Sequence, residues 1–501
     1  MDAINLYILC KGAEVNTLCE YQNALSNSYN KKQIKKEEIQ TLKSFVNELL
    51  VNGAELIDLD GFFFGFTIPQ ISKEFDLLKI YEDDFIINVE LKSQLIDLAK
   101  LEYQLKKNRY YLSHLNKRIY SITYVQTENN GKIYLYDGNE LKECEIRETL
   151  NIIKRKSTYV KNDIEKLFKC KNYLISPINT PDSFIKGNYY LTVQQETIKN
   201  KIVDEIKNNN RSIWGIQGSA GTGKTLLLYD IAKELSQIGR VCIIHSGILS
   251  DGHIELNSKM NEFDIISVKA CVASLIMQYD YILVDEAQRL YQGDFDCILS
   301  EFKKGSVHCI FAYDYFQVLS FAETNRNIPE QLKKLDEFKE NKLSEKIRTN
   351  KEISSFIKNV RDLTNKPKSY MNYRNIEVLY AENYSVARTI IDFYESHKEY
   401  KFISYTPSRV RGNEIDEFVD YVNTHHIIGQ EFDNVIFSMD NNFRYGKDGR
   451  LQGREHPNPD YIFYKLWYQG VSRAREKLCI LVIGNKPLFE NILKVKTQFE
   501  K

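Results

Sequence analysis

Hydrophobic and polar positions follow two different periods in the first part of the chain. Residues 1–55 carry apolar side chains at helical spacing, most clearly at 42–50, and this pattern predicts helices. The period then changes to short apolar runs bounded by turn residues, which predicts strands at 62–66, 75–80 and 85–92. The sequence therefore predicts a helical start followed by a sheet.

The same patterns continue beyond this first sheet. Strands are predicted at 119–125 and 132–136, and residues 145–169 are predicted to form a charged helical connector. Downstream, short and strongly apolar runs separated by helical segments indicate buried strands of βα units. These runs lie at 212–216, 241–245, 281–284, 309–313, 402–406 and 478–482.

Strands that alternate with helices over this length predict an α/β chain of several domains. Its 501 residues correspond to roughly two to four domains. We predict a first domain over residues 1–150, a helical connector over 151–188, and a second domain made of two lobes. The two lobes are expected at 189–365 and 366–501.

Composition narrows the class of protein without pointing to an activity. Hydrophobic residues make up 43% and charged residues 27% of the chain, as in soluble globular proteins. The 68 basic and 68 acidic side chains cancel, so the chain has no global basic field. Any surface that binds nucleic acid must therefore be a local patch.

The nine cysteines are scattered and no C-x-x-C pair occurs, which argues against a zinc ribbon or an iron–sulfur cluster. Cysteines used in this way favour a reducing cytoplasm. The start of the chain lacks the pattern of a signal peptide, and no apolar run approaches the roughly 18 residues of a membrane span. We therefore expect a cytoplasmic protein with no membrane partner.

The strongest motif is the string GSAGTGKT at residues 218–225, which fits G-x-x-x-x-G-K-[ST] without a gap. The predicted strand 212–216 precedes it, and the apolar residues 226–232 after it predict a buried helix. A strand, a glycine-rich loop and a helix form the context that a phosphate-binding P-loop requires. The sequence therefore predicts a nucleotide site.

Each position of this loop has a role in holding nucleotide phosphates. Gly218, Gly221 and Gly223 allow consecutive backbone N–H groups to turn towards phosphate oxygens, and the helix N-terminus adds the positive end of its dipole. Lys224 is expected to reach the β- and γ-phosphates, and the hydroxyl of Thr225 to bind Mg²⁺. ATP and Mg²⁺ are the predicted cofactors.

Two adjacent acids, Asp285 and Glu286, follow the predicted strand 281–284. Acids at the carboxyl end of a buried strand lie where parallel α/β sheets bind ligands. Asp285 is expected to hold the Mg²⁺ of the nucleotide, and Glu286 to orient the attacking water. A surface loop is a poor alternative because four apolar residues lead directly into the acids.

A second set of charged residues lies on two neighbouring predicted strands. Its members are Asp76, Glu90 and Lys92. Alternation along a strand puts Glu90 and Lys92 on the same face. Two carboxylates could hold Mg²⁺ or Mn²⁺, and the lysine could position or deprotonate a water molecule for phosphodiester hydrolysis. A charged strand that faces solvent is the alternative interpretation.

This arrangement resembles the core of PD-(D/E)xK nucleases. The helix that follows, with Gln104 and then Tyr110 and Tyr111, resembles the Gln…Tyr helix of the RecB-like branch of that family. The resemblance implies a restriction-endonuclease-like domain that cleaves phosphodiester bonds. The corresponding active-site positions are Asp76, Glu90, Lys92 and Gln104.

The family that this domain resembles has a further acidic residue, usually on the first helix. Glu48 and Glu55 are candidates there, and Glu74 precedes Asp76 by two residues on the same strand face. The sequence does not choose among the three.

Further elements, in order along residues 190–485, resemble motifs of superfamily 1 helicases. They are LTVQQ, DYFQ, LSEKIRT, GQEF and SRAR. The resemblance implies two RecA-like P-loop lobes around a nucleotide.

By the same resemblance, single residues of these motifs contact the nucleotide. Gln195 is assigned to the adenine edge, Gln317 to sensing of the γ-phosphate, and Arg348 to a phosphate contact. Glu431 is assigned to the ribose, and Arg473 to an arginine finger that stabilises charge on the γ-phosphate.

A nuclease-like domain joined to a superfamily 1 ATPase resembles the Schlafen-like nuclease–helicases of bacterial immunity, including the Nhi-type antiphage enzymes. The resemblance implies an ATP-dependent deoxyribonuclease and helicase that acts on single-stranded DNA or duplex ends in antiphage defence. It is compatible with an oligomer or with a partner subunit.

Two alternatives stay open. The chain could be a repair or recombination helicase whose first domain only binds nucleic acid, or a nucleotide-gated nuclease subunit that does not translocate. The sequence leaves open DNA or RNA as substrate, the polarity of translocation, end or internal cleavage, and whether ATP promotes or restrains cleavage.

Overall fold

In the computed structural model, the chain forms two compact units, Met1–Tyr173 and Leu174–Lys501. The division between them falls inside the connector predicted at 151–188. The structure describes the whole chain apart from residues 13–17, 28–35, 69–72, 83–84, 128–130, 155–156, 169–172, 174, 209–210, 306, 345–350, 366–371, 407–417, 419–420, 454–460 and 498–501.

The first unit is a six-stranded sheet with helices on both faces. Its strands are β1 (Phe63–Thr67), β2 (Glu74–Ile80), β3 (Phe85–Lys92), β4 (Arg118–Val125), β5 (Lys132–Tyr136) and β6 (Leu141–Cys144). Its helices are α1 (Leu6–Gly12), α2 (Leu18–Leu25), α3 (Lys36–Val51), α4 (Leu98–Ser113) and α5 (Ile146–Ile153). The predicted helical start and the predicted strands are confirmed.

The strands of this sheet lie side by side in chain order, from β1 to β6. Strands β2 and β3 pair antiparallel, whereas β3 and β4 pair in parallel, so the chain must cross over between the last two. Helix α4 makes this crossover. Asp97 caps its start by accepting a hydrogen bond from the Ala99 N–H at 3.1 Å. The crossover brings the polar side chains of α4 to the sheet.

The two faces of the sheet pack against different helices. On one face, Phe45 of α3 belongs to the same apolar core as Val89 and Tyr124. On the other face, Leu101 of α4 packs with Val125. Because side chains alternate along a strand, the neighbours of Val89 on β3 point towards α4.

The helix predicted at 145–169 is wrong over most of its length. Helix α5 ends at Ile153, and the next helical piece among the described residues is a 3₁₀ turn at Ile164–Leu167. Between them, Tyr159 forms a β-bridge with Tyr81, so the backbone is extended at that position. Pairing with the sheet fixes the backbone there and overrides the helical composition of the segment.

A buried lysine, Lys79 on β2, lies within a group of aromatic rings. Its Nζ lies 5.1 Å from the ring centroids of Phe62 and Tyr81 and 5.2 Å from that of Tyr159. Burial lowers the pKa of Lys79 to about 8, although two nearby aspartates oppose the change. The folded unit therefore holds a cation at a cost that the rings and aspartates only partly offset.

We expect the substitution Lys79→Met to change how stability depends on pH. Since the pKa falls from 10.5 to about 8 on folding, the unfolded state binds more protons in that window. Wild-type stability therefore rises with pH through the window, by roughly 1–3 kcal/mol, and the variant lacks this gain. Thermal unfolding of the full chain between pH 7 and 10 measures the difference. Parallel pH profiles for the two proteins would contradict it.

The first lobe of the second unit is a six-stranded sheet in the order β12-β7-β11-β10-β8-β9. Each neighbouring pair in it is parallel. Its strands are β7 (Ile213–Gly218), β8 (Val241–His245), β9 (Asp264–Ser267), β10 (Tyr281–Asp285), β11 (His308–Tyr313) and β12 (Phe338–Leu343). The strands predicted in this lobe are confirmed.

The second lobe is a four-stranded parallel sheet in the order β13-β18-β15-β14, with a separate hairpin of β16 and β17. Its strands are β13 (Ile376–Ala381), β14 (Lys401–Ile403), β15 (Phe432–Met439), β16 (Phe443–Tyr445), β17 (Leu451–Gly453) and β18 (Ala474–Ile483). The strands predicted at 402–406 and 478–482 correspond to β14 and β18.

Helices cover both sheets of the second unit. They are α6 (Pro181–Ile185), α7 (Val193–Lys207), α8 (Lys224–Leu235), α9 (Asp251–Lys259), α10 (Ala273–Ile276), α11 (Gln292–Lys304), α12 (Phe321–Arg326), α13 (Ile328–Lys333), α14 (Lys351–Arg361), α15 (Tyr384–His397), α16 (Phe463–Val471) and α17 (Lys486–Thr497). Helix α14 packs Ile353 and Phe356 into the core of the second lobe, which therefore begins before the predicted boundary at 366. Within the described ranges, no helix has both the length and the apolar character to cross a membrane.

Candidate active sites

The carboxyl ends of four parallel strands meet at one edge of the first-lobe sheet. These strands end at Gly218, His245, Asp285 and Tyr313. Loops that leave parallel strands at this edge form the usual ligand site of such sheets. The predicted P-loop and the predicted pair of acids both lie here.

The P-loop needs glycine at positions that the sequence marked. Gly221 and Gly223 adopt φ values of +75° and +80°, a left-handed backbone that favours glycine. A Cβ at Gly218 would lie 2.5 Å from Oγ1 of Thr222, so a larger residue would force the loop to move. These glycines let the loop curl tightly over the start of α8.

The residues predicted to bind phosphate and Mg²⁺ lie close together. Nζ of Lys224 donates to the Ser219 carbonyl at 3.3 Å, and Oγ1 of Thr225 donates to Oδ2 of Asp285 at 3.1 Å. A hydroxyl and a carboxylate side by side are the hard oxygen ligands that Mg²⁺ prefers. This donor set fits a Mg²⁺ ion held by Thr225 and Asp285 beside a nucleotide phosphate.

The two acids differ in their surroundings. Burial and the neighbouring Glu286 raise the pKa of Asp285 to about 7. A cation bound nearby would stabilise the ionised form of this carboxylate. Glu286 has φ of 56°, which is strained for a residue with a side chain, and its Oε2 accepts from Nε2 of Gln288 at 2.6 Å. Strain of this kind is commonly found where a side chain must be aimed at a ligand.

The D-x-x-Q element after β11 adds a residue that the sequence interpretation missed. Burial raises the pKa of Asp314, while the cations of Lys224 and Arg473 act in the opposite direction, so both cations lie near its carboxylate. Gln317 is buried, and neither its amide nitrogen nor its amide oxygen has a hydrogen-bond partner in the described structure. A buried amide without partners at this edge is suited to contact a γ-phosphate. Asp314 could have been identified from the sequence, because it is the first residue of the D-x-x-Q motif.

Gln195 lies behind the P-loop. Its Nε2 donates to the carbonyls of Thr222 and Gly223, both at 3.3 Å, and its Oε1 accepts from the Thr192 N–H at 3.0 Å. Thr192 and Gln195 also form a capping box at the start of α7. The geometry makes Gln195 a support for the P-loop, and its contact with adenine stays a prediction.

Arg473 reaches the cleft from the second lobe. It is buried, its Nη1 donates to the Gln430 carbonyl at 3.2 Å, and its Nε donates to the Gln469 carbonyl at 3.3 Å. These bonds hold a guanidinium whose charge partly opposes the rise that burial causes in the pKa of Asp314 in the first lobe. The arginine is thus positioned between the two lobes, as an arginine finger requires.

The predicted ribose and phosphate contacts of Glu431 and Arg348 gain no direct support from the structure. Glu431 is buried, and its carbonyl accepts from Nδ2 of Asn179 at 2.6 Å, so its backbone is held close to residues before the first lobe. Its contact with ribose stays a prediction. Arg348 lies outside the described residues.

Two adjoining cavities form a groove between the lobes, here called the inter-lobe groove. Their volumes are about 220 and 680 Å³, and both are lined by Phe316, Arg361 and Tyr468. The smaller begins at Ser219 of the P-loop, and the larger extends past Lys465. Phe316 is 52% exposed, and the guanidinium of Arg361 lies 6.0 Å from its ring. The groove therefore presents aromatic faces and cations next to the nucleotide site.

In the first unit, Asp76 and Glu90 share one face of the sheet. Leu77 pairs with Val89 in the antiparallel register, which places Asp76 opposite Glu90. Burial and the Glu90 carboxylate raise the pKa of Asp76 to about 8, and its Oδ2 accepts from the Leu91 N–H at 2.8 Å. Nζ of Lys92 lies 3.7 Å from Oε2 of Glu90. The structure thus brings Asp76, Glu90 and Lys92 together.

Both oxygens of the Glu90 carboxylate accept hydrogen bonds from helix α4. Gln104 Nε2 donates to Oε2, and Asn108 Nδ2 donates to Oε1 at 2.6 Å and to Asn88 at 2.8 Å. Asn108 was missed in the sequence, although it lies one turn after Gln104 on the same helix face. These amides fix the orientation of Glu90.

The three candidates for a further acid beside Asp76 and Glu90 lie in different places. Glu48 accepts from Tyr124, whose side chain points to the α3 face, so Glu48 lies across the sheet from Glu90. Glu55 is exposed at the end of the α3 turn, where its N–H donates to Asp58. Glu74 raises the pKa of Asp76 and is therefore close to it. No group of three potential metal ligands occurs among the described residues.

Lysines surround this pair of acids. Burial lowers the pKa of Lys73, and the carboxylates of Glu90 and Asp76 oppose the change, whereas Lys107 and Lys92 reinforce it. Lys107 lies beside Asn108 on α4 and is buried. Two acids that could hold a cation and three lysines that could hold an anion therefore occupy one small region.

Comparison with known proteins bears on the second unit. Residues 211–401 match the family profile described as Schlafen group 3, DNA/RNA helicase domain. A search of curated proteins finds no match. The matched residues include the P-loop, the acids after β10 and the D-x-x-Q element.

Several solved structures are similar to the chain. One shows two coordinating Pif1 helicases unwinding forked double-stranded DNA, with a TM-score of 0.32, 11% identity, and coverage of 62% of this chain and 98% of that chain. Another is Pif1 helicase from Candida albicans, with a TM-score of 0.32, 13% identity, and coverage of 62% of this chain and 99% of that chain. A third is Bacteroides sp. Pif1 in complex with ADP-AlF4, with a TM-score of 0.31, 12% identity, and coverage of 62% and 98%.

The family profile and the observed topology lead to a coarse assignment. The chain contains a helicase domain of the nucleotide-hydrolysing type, built on α/β lobes with parallel sheets.

Proposed function

We propose that the protein is an ATP-dependent nuclease–helicase that acts on DNA. The second unit hydrolyses ATP and moves along a single strand, and the first unit cleaves phosphodiester bonds. The observation that carries the proposal is the assembly of Thr225, Asp285 and Glu286 beside the P-loop, with Arg473 approaching from the other lobe. Hydrolysis of ATP that is stimulated by single-stranded DNA tests it.

In this proposal each side chain at the carboxyl edge of the first-lobe sheet, here called the nucleotide edge, has one role. Lys224 and the P-loop N–H groups bind the phosphates, and Thr225 and Asp285 would hold a Mg²⁺ ion that neutralises their charge. Glu286 orients the attacking water and accepts its proton, and Arg473 stabilises charge that develops on the γ-phosphate. Because Arg473 belongs to the second lobe, the state of the nucleotide can alter how the lobes close.

The inter-lobe groove supports an interaction with single strands. Proteins that bind single strands without sequence preference combine cations, which contact phosphates, with aromatic rings, on which bases stack. Phe316 and Arg361 provide both at the point where the two cavities adjoin. Phe316 immediately precedes Gln317, so a stacked base and a γ-phosphate would act on the same loop.

We expect Phe316→Ala to weaken binding of a single-stranded oligonucleotide by roughly 5- to 100-fold, the loss of one stacked base. ATP binding should stay near the wild-type value. Fluorescence anisotropy with a labelled oligonucleotide measures the first quantity, and binding of a fluorescent nucleotide measures the second.

Phe393→Ala is the matched control, because Phe393 is also exposed, at 48%, and does not line the groove. A wild-type chain that neither binds single strands nor shows strand-stimulated hydrolysis would contradict the proposed motor. If Phe316→Ala bound the oligonucleotide as tightly as the wild type, the inter-lobe groove would not be the site that binds single strands.

The first unit supports the cleavage part of the proposal. Its mixed sheet, with antiparallel β2 and β3 followed by a parallel β4, presents Asp76, Glu90 and Lys92 on one face under helix α4. This is the arrangement expected of a PD-(D/E)xK nuclease, with Gln104 directed at the same carboxylate. Asp76 and Glu90 would hold Mg²⁺, or Mn²⁺ as a second candidate, and Glu74 is the candidate third acid.

A second candidate function for the first unit has its own support. Both oxygens of Glu90 already accept amide hydrogen bonds, and lysines outnumber the two central acids around it. A site of this kind could bind a phosphate backbone without cleaving it. The first unit would then hold nucleic acid for the motor, and cleavage would be absent from the wild-type protein.

The biological part of the proposal is a role in antiphage defence. It is supported by the combination of the two proposed activities in one chain, which resembles Schlafen-like and Nhi-type nuclease–helicases. Within such a role, DNA is the proposed substrate and ATP the proposed cofactor.

A further inference from the structure

A buried histidine lies directly beside the proposed Mg²⁺-binding carboxylate. His245 ends β8 and pairs with Asp285 in the parallel register of β8 and β10. Its side chain is fully buried, and its Nδ1 lies 3.9 Å from Oδ2 of Asp285. Neither ring nitrogen of His245 has a hydrogen-bond partner in the part of the chain that the structure describes. None of the motifs considered above includes this residue.

A histidine in this state is costly to the fold. Leaving a buried polar group without a partner destabilises the folded state. The ring is fully buried, and burial disfavours the charged form of a histidine. A neutral imidazole has one N–H donor and one acceptor, and an N–H on Nδ1 would face the acceptor oxygen of Asp285.

Neighbouring groups hold the ring on its other sides. The ring of His253 lies with its centroid 4.3 Å away, and the Nδ1 of His253 is occupied by the Ser250 N–H at 3.1 Å. A Cβ on Gly247 would lie 2.7 Å from Nε2 of His245, so only glycine leaves room there. The ring is therefore confined, with Nδ1 on the side of Asp285.

Gly429 of the second lobe leaves little space beside this ring. A Cβ on Gly429 would lie 3.8 Å from Cε1 of His245, and the next residue, Gln430, accepts a hydrogen bond from Arg473 at 3.2 Å. His245 thus lies between the metal-binding acid of one lobe and the loop that holds the arginine of the other.

We propose that His245 is a positioning residue that donates an Nδ1–H hydrogen bond to Asp285 and fixes its carboxylate for Mg²⁺. The inference rests on the proposed ATP site. The proposal requires the two atoms to approach from 3.9 Å to about 3 Å, the distance of a hydrogen bond. Oδ2 of Asp285 also accepts from Thr225, so the hydroxyl and the imidazole would hold the same oxygen from two sides. Losing such a supporting bond typically lowers metal affinity by about 10- to 100-fold.

The test measures Mg²⁺-dependent nucleotide binding by the full chain. A fluorescent ADP is titrated at a series of Mg²⁺ concentrations, and again in EDTA. We expect His245→Phe to raise the Mg²⁺ concentration for half-maximal enhancement by about 10- to 100-fold. Nucleotide affinity in EDTA should equal that of the wild type, because the P-loop is untouched.

His253→Phe is the matched control, since it replaces the other buried histidine of the same ring contact, whose Nδ1 is bonded to Ser250. We expect this control to keep the wild-type Mg²⁺ dependence. If the Mg²⁺ dependence changed equally in both variants, the histidine pair would have a purely structural role and the inference would be overturned. His245→Asn, which keeps a donor, should recover part of the Mg²⁺ response. If His245→Phe does not fold, His245→Leu repeats the measurement with a smaller side chain.

The outcomes separate this inference from the proposed function. A wild-type chain whose nucleotide binding ignores Mg²⁺ would contradict the proposed ATP site itself. A wild-type chain that responds to Mg²⁺, together with an unchanged response in the His245 variants, would overturn the role of His245 alone.

Discussion

Replacing Glu286 with glutamine should stop ATP hydrolysis while leaving nucleotide binding close to that of the wild type. The carboxylate lies at the carboxyl edge of the first-lobe sheet, next to Asp285, and its φ of 56° shows that the chain holds it in a strained conformation. Glutamine keeps the shape and can still pair with Gln288, but it cannot accept a proton from water. Loss of a general base typically costs about 10²–10⁴ in rate.

The measurement is kcat for ATP hydrolysis with and without single-stranded DNA, together with the dissociation constant of a fluorescent nucleotide. We expect kcat of Glu286→Gln to fall by about 10²- to 10⁴-fold with little change in affinity, the pattern of an interaction that acts in the transition state. Lys224→Ala should lose affinity as well as rate, because Lys224 is expected to bind the phosphates in the ground state too.

A buried acid elsewhere in the same lobe provides the control. Glu301 of α11 is buried and paired with Lys304, and it belongs to no part of the nucleotide edge. Glu301→Gln should therefore affect stability and leave kcat near that of the wild type. If Glu286→Gln hydrolysed ATP at the wild-type rate, another group would have to activate the water.

The residues proposed to bind the nucleotide could be predicted from the sequence because their signals are local. The P-loop glycines, Lys224 and Thr225 lie in eight consecutive residues, and the acids Asp285 and Glu286 directly follow a buried strand. Parallel strands then bring separate motifs to the same edge without further information. The contact between Thr225 and Asp285 follows from this rule.

Residues that act through distant contacts could not be found in the same way. His245 carries no motif, and its place beside Asp285 depends on which strands are neighbours in the sheet. Asn108 depends on how α4 lies across β3, although its spacing from Gln104 was visible in the sequence. Topology, which single-sequence patterns specify weakly, determines both contacts.

Two interpretations show how one pattern can have two physical meanings. Gln195 resembles an adenine-reading glutamine, yet Thr192 and Gln195 also satisfy the capping-box pattern, and the structure uses them in that way. The charged segment 145–169 has the composition of a helix, yet Tyr159 joins the edge of the sheet beside Tyr81. For Tyr159 a tertiary contact outside the local pattern determines the result, whereas the contact of Gln195 with adenine stays a prediction.

Replacing Lys92 with alanine should remove metal-dependent cleavage by the first unit while leaving ATP hydrolysis intact. Nζ of Lys92 lies 3.7 Å from the Glu90 carboxylate, on the face that also carries Asp76. A lysine there can position the attacking water and stabilise charge on the phosphate, and removing one such group typically costs about 10²–10³ in rate. The ATP site lies in a separate compact unit, so its chemistry should not change.

Cleavage of a labelled oligonucleotide in Mg²⁺, with and without ATP, measures the effect, and binding of the same oligonucleotide in Ca²⁺ separates affinity from chemistry. Lys106→Ala is the matched control, because Lys106 is 45% exposed on α4 and pairs with Glu102. Lys92→Ala should cleave about 10²- to 10³-fold more slowly than both the wild type and this control. Equal cleavage by Lys92→Ala would place the activity elsewhere, whereas a wild-type chain that binds the oligonucleotide without cutting it would favour the binding function.

The distinction matters because the amides of Gln104 and Asn108 already bind both oxygens of Glu90, so only a metal that uses the remaining lone pairs could turn this pair of acids into a cleavage site.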